Sequence, residues 1–233
     1  MTNQSITPTP RTGCDLEAQL RRLSQTSSGS YLRPFTPNAK WKDARVLVVG
    51  TNPATPLRDE FESFDTYWDA LTLNPAAFEV IYRAQRNGKP SLTTSRVERF
   101  AAPLDGVGVL RTNAAALPSG RWKKLPAKVR REQLEIGQQI LRALVEICRP
   151  AAILCHGQEG VQAVSALFAT ALDPYVALDR QAVQASLTAG TAPVRLFAYP
   201  HLSGLGVQPG FAVGRMGDEL EALGQRLAGE LHV

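Results

Sequence analysis

Cysteine is scarce in this chain of 233 residues. Three are present, Cys14, Cys148 and Cys155, and no two form a C-x-x-C pair. Neither a disulfide framework nor a four-cysteine iron–sulfur or zinc site can be built from them. Histidine is equally sparse. There are three, His232 is next to last, and no H-E-x-x-H spacing occurs, which excludes a histidine-rich metal centre. No apolar run approaches the roughly 20 residues of a membrane-spanning helix. Met1 to Arg11 is polar, carries prolines and lacks an apolar h-region, so no signal peptide is expected. No G-x-G-x-x-G fingerprint, no phosphate loop ending in Gly-Lys-Ser/Thr and no G-x-S-x-G elbow appears. The expectation is a protein of the reducing cytoplasm, with no metal and no cofactor.

What is present reads as globular. Hydrophobic residues make up 44% and charged residues 20%, which places the chain away from disorder. The length suits one domain, or one domain with a tail. A net charge of +5 is a mild bias towards anionic partners. Residues 1–40 are rich in Thr, Ser, Pro and Asn. Their one amphipathic stretch has Leu16, Leu20 and Leu23 on a helical spacing. This predicts a loose arm over 1–40 with one short helix, followed by a domain over 41–233.

From Ala44 onward, short apolar runs alternate with helical patterns. The runs are Arg45 to Gly50, Gly108 to Leu110 leading into Thr112, Ala151 to Cys155, and Val194 to Tyr199. Continuous runs of this length suit strands buried on both faces. Helical periodicity covers Val129 to Cys148, Gln158 to Phe168 and Val213 to Leu231. The alternation predicts an α/β fold, a three-layer α/β/α sandwich around a mostly parallel four-stranded sheet. Ligands in such folds bind at the carboxyl ends of the strands. Three segments stand there: Gly50-Thr51-Asn52-Pro53-Ala54-Thr55, Thr112-Asn113, and Pro200-His201-Leu202-Ser203-Gly204-Leu205-Gly206. Singly, each is an ordinary turn sequence. Together they would bring two Asn and one His to one edge of the sheet.

The three segments resemble the uracil-DNA glycosylase superfamily. Gly50-Thr51-Asn52-Pro53 is similar to its first motif, G-x-[D/N]-P. Gly108 to Ala114 is similar to its second, G-V-L-L-L-N-A. His201-Leu202-Ser203-Gly204-Leu205 is similar to its third, H-P-S followed by leucine. Order and separation agree, and the covered span is about 44–231. The Asn of the first motif is shared with the mismatch-specific and single-strand-selective branches. The resemblance implies roles residue by residue. Asn52 would orient the water that attacks the sugar C1′, since an amide cannot serve as a base. Asn113 would read the base. His201 would stabilise negative charge on the departing base. Leu205 would fill the gap left by the extruded nucleotide, and Ser203 and Gly204 would lie close to phosphates. Thr51 and Pro53 belong to the same substrate-binding turn, and Phe64, or Phe61, is in range to stack on the base.

Two departures matter. Ala54 stands where the main uracil enzyme has a Tyr that blocks 5-substituted bases, which leaves room for thymine or modified pyrimidines. Leu202 replaces the proline of the third motif. Beyond the motifs, Arg121-Trp122-Lys123-Lys124-Leu125-Pro126-Ala127-Lys128-Val129-Arg130-Arg131 carries six positive charges with no acid before Glu132. It reads as a phosphate-contacting loop, with Arg121, Lys123 and Lys124 nearest the second motif. Trp122 could stack or pack. Tyr67 and Trp68 read as core, His156 as a structural histidine, Glu159 as a first-turn helix acid, and Cys148 and Cys155 as buried thiols. The stretch 165–191 matches nothing.

The expectation is therefore a monomeric, monofunctional DNA glycosylase. It would flip out uracil or a related damaged or mismatched base and hydrolyse its N-glycosidic bond. A catalytically silent nucleic-acid-binding member of the same fold is the alternative. An unrelated α/β enzyme acting on a small nucleoside or nucleotide is the third reading.

Overall fold

The computed structural model describes residues 13–85 and 91–231. Four parallel strands form the centre: β1 (Val46–Gly50), β2 (Val109–Asn113), β3 (Ala152–His156) and β5 (Val194–Tyr199). A fifth, β4 (Val183–Ala185), pairs antiparallel with β5 at one edge, giving the order β2-β1-β3-β5-β4. Alternate residues of each run face opposite layers. Leu47, Val49, Ile153, Cys155, Leu196 and Ala198 belong to one core, while Val46, Val48, Ala152, Leu154, Phe197 and Tyr199 belong to the other. That double burial explains the near-continuous apolar runs of β1, β3 and β5, whereas β2, at the sheet edge, is buried only at alternate residues.

Helices cover both faces. On the first lie α1 (Gly13–Ser24), α2 (Phe64–Thr72), α3 (Pro75–Ala84), α5 (Ala127–Cys148) and α6 (Gly157–Leu167). On the second, α4 (Leu92–Ala101) packs against α7 (Met216–Leu231), with Val97, Phe100, Met216, Leu220, Leu223 and Leu227 buried. The fold is the α/β/α sandwich expected. Its sheet has five strands rather than four, because β4 lies inside the unmatched stretch 165–191. Two half-buried residues around an exposed Gln184 make no apolar run to announce a strand. Just before β4, the Gln181 side chain bonds both the amide and the carbonyl of Ala198, at 2.7 and 2.8 Å, and so extends the ladder with an amide from a side chain.

The separate arm expected over 1–40 is corrected for its described part. Residues 1–12 lie outside the described residues. From Gly13 onward the chain belongs to the domain. Leu16 and Leu20 are buried against α5, and Tyr31, Leu32 and Phe35 are buried in the same core. Residues 33–36 run along β2, with a bridge from Phe35 to Thr112, Thr112 Oγ1 donating to the Pro34 carbonyl at 2.6 Å, and Thr36 N–H donating to Arg111. They cover what would be an open sheet edge.

Caps define the helices that periodicity alone left unassigned. Ser63 and Ser91 accept hydrogen bonds at the N-termini of α2 and α4, and Asn74, followed by Pro75, caps α3. Cys148 and Cys155 are buried, as expected. Burial pushes each thiol up to about 12. Among the described residues no helix is long and apolar enough to cross a membrane.

Candidate active site

The parallel strands deliver their last residues to one edge, and the loops after them stay in register. Beyond β1 and β2, Ala114 N–H donates to the Gly50 carbonyl and Ala115 N–H to Thr51. Ser119 N–H donates to Pro53 at 2.7 Å. The first two motif segments thus run side by side. The third is held at Leu202, which is fully buried in the second core and whose carbonyl accepts from Arg96 of α4 at 2.6 Å. The loop is anchored by an apolar side chain and a guanidinium.

A groove of about 1220 Å³ opens over these ends. Asn52, Asn113 and His201 all line it, together with Thr51, Pro53, Ala54, Arg121, Lys123, Lys124 and Leu205. Two glycines keep its floor open. A methyl group on Gly50 would stand 2.9 Å from Asn113 Oδ1 and 3.0 Å from His156 Nε2. One on Gly157, whose φ is +72°, would stand 2.8 Å from His201 Cδ2 and 3.3 Å from Thr51 Oγ1.

Hydrogen bonds orient Asn52 and His201. Asn52 Nδ2 donates to the carbonyls of Pro53 at 2.7 Å and Ser119 at 2.8 Å, which assigns the amide and leaves Oδ1 as its acceptor. His201 Nδ1 accepts the Ser203 backbone N–H at 3.2 Å, so this nitrogen is bare; the Ser203 hydroxyl, 2.7 Å away, donates to it as well. The proton of His201 therefore sits on Nε2. Burial lowers the His201 pKa, Glu159 opposes that and Lys123 reinforces it, and the net direction is down. The ring is a neutral donor at neutral pH.

Other predicted residues fall less simply. Phe64 is not in the groove. It is buried between Tyr31, Tyr67 and Trp68, because α2 turns its first residue into the core, and the stacking role implied for it is corrected. Phe61 is likewise core. The rings lining the groove are Phe78, Tyr82, Trp122, Tyr175 and Tyr199. Ser203 and Gly204 lie just off the groove. Ser203 orients His201, and Gly204, at φ +77°, lies against Val213. Leu205 is 77% exposed at the rim.

Two residues carry more than the sequence reading gave them. Glu159, in the first turn of α6, accepts the Thr51 hydroxyl at 3.1 Å and the Trp122 indole N–H at 3.2 Å, tying the first motif to the basic loop. Trp122 is therefore packed rather than free to stack. His156 ends β3 and faces the groove, with Nδ1 buried and unpartnered. Both follow from the same positional rule that selected Asn52 and Asn113: they stand at the carboxyl end of a central strand.

Among the described residues there is no cluster of His, Cys, Asp and Glu suited to a metal ion. No protein-family model matches the chain, and no curated protein matches it.

Proposed function

We propose that this protein is a DNA glycosylase that hydrolyses the N-glycosidic bond of an extruded uracil or related base. The observation that carries the reading is the meeting of Asn52, Asn113 and a neutral His201 in one groove at the strand ends. Cleavage sends the C1′–N electron pair onto the base and leaves an oxocarbenium-like sugar. Nε2–H of His201 donates to the base oxygen on which charge grows, and Asn113 holds the adjoining edge. Asn52 Oδ1 accepts from the attacking water. The water oxygen bonds to C1′, its surplus proton passes to solvent, and the released base anion takes a proton from solvent. A preorganised donor in a half-buried site is the main requirement, so paired carboxylates are not needed.

The surroundings support a polymer substrate. Arg121, Lys123 and Lys124 line the same groove, and neither lysine forms an ion pair with an acidic side chain among the described residues. Leu205 projects at the rim, where an apolar wedge offsets part of the few kcal/mol that unstacking a base costs. Ala54 faces the groove as a small residue and leaves room for a 5-substituent.

The test is incubation with labelled oligonucleotides carrying uracil, hypoxanthine, ethenocytosine or a G·T mismatch, followed by alkaline cleavage. A strand break at one of these positions is the expected result. Tight binding with no break in any of them would favour the silent DNA-binding alternative.

A further inference from the structure

His156 has no role in that mechanism, yet it is built like a ligand-facing group. Its side chain is only 4% exposed and it lines the groove. Its Nε2 and Asn113 Oδ1 flank the same space above Gly50, at 3.0 and 2.9 Å from the point a methyl group would occupy. Its ring meets His201 edge-on at 5.6 Å. Its Nδ1 has no hydrogen-bond partner. An orphaned buried N–H is rarer than an orphaned acceptor, so the bare nitrogen is Nδ1 and the proton sits on Nε2, towards the groove. Burial, reinforced by His201, depresses the pKa to about 3, so the ring stays neutral.

We infer that His156 is a second catalytic histidine, donating from Nε2 to the carbonyl edge of the departing base beside His201. This rests on the glycosylase reading and narrows its substrate. Two neutral N–H donors and one amide make an edge that matches a base with two carbonyls flanking a ring N–H, a 2,4-dioxopyrimidine. Bases that present an exocyclic amine there set donor against donor. The glycine at position 50 is what lets a ring edge come down between Asn113 and His156.

The experiment compares wild type, His156→Phe, which keeps a ring, and His156→Gln, which keeps an N–H donor. Single-turnover excision is measured on oligonucleotides containing uracil or 5-fluorouracil, whose anion leaves more readily. Loss of an oxyanion donor slows reaction about 100-fold. The expected result is a loss of that order for uracil in His156→Phe, a smaller loss for 5-fluorouracil, and partial recovery in His156→Gln. Equal slowing of both bases, or none, would make His156 a packing residue and overturn the inference. A second measurement does not depend on catalysis. Free uracil is titrated into the wild-type protein while the imidazole ¹⁵N signals are followed. A shift at His156 Nε2 supports the contact, and its absence at saturation overturns it. If the wild type excises neither base, the glycosylase reading fails by itself and the titration still decides the contact.

Discussion

Neutral imidazoles in a half-buried groove set the behaviour of single residues here. His156 titrates near 3 in the folded chain against about 6.5 unfolded. Between those values the unfolded state binds the extra proton, so stability falls as pH falls from about 6.5 towards 3, by up to about 1.4 kcal/mol per unit. Thermal melts from pH 7 to 4 should show this slope, and His156→Phe should flatten it; an unchanged slope would place the proton uptake elsewhere. Ala54 gives a specificity prediction. Ala54→Tyr should cut excision of thymine or 5-substituted uracil by tenfold or more relative to uracil, an approximate figure for one steric contact of about 1.4 kcal/mol. A uniform loss for all bases would argue against a role in size selection. Asn52, Asn113 and His201 were legible because each is a polar residue just past an apolar run. Phe64 was not, because spacing along a loop does not say which way a capped helix turns its first ring. Glu159 was readable in position but not in partners, since Thr51 and Trp122 come from distant segments.

At the scale of elements, close approach rather than propensity places the helices around the site. Gly137 of α5 lies so near the Ala114 carbonyl that a methyl group there would overlap the oxygen. Gly160 of α6 is similarly pressed on Val49, whose carbonyl oxygen would stand 2.6 Å from the added carbon. Gly137→Ala gains about 1 kcal/mol of helix propensity and loses more to overpacking, typically about 1–3 kcal/mol and here at the upper end because backbone must move. The expected outcome is a Tm lower by several degrees, by differential scanning calorimetry, together with reduced excision because Asn113 directly precedes Ala114. A rise in Tm would mean that α5 can retreat without cost. Three of the four parallel strands, β1, β3 and β5, were readable as runs buried on both faces, and β2 by its apolar start at Val109 and Leu110. β4 and α4 were not: one is a short edge strand, and the other buries only Val97 and Phe100 among polar residues.

Over the whole molecule, charge and shape agree. A net charge of +5 is modest, but Arg33, Arg83, Arg111, Arg121, Lys123 and Lys124 all line the groove that holds the strand-end residues. If Lys123 and Lys124 neutralise phosphates, the double variant Lys123→Glu/Lys124→Glu should weaken binding to every DNA sequence and reduce the slope of log K against log salt by about 2. Fluorescence anisotropy across a salt series measures this, and an unchanged slope would remove both from the interface. The central claim is that Asn52, Asn113 and His201 act together on one base. It is tested most directly by chromatographic detection of free base released from a single-uracil oligonucleotide in single turnover, for wild type and His201→Ala. Release by the wild type, slowed by about 100-fold or more in the variant with DNA affinity retained, is the outcome predicted. Equal release by both proteins, or none from either single- or double-stranded DNA, would contradict it.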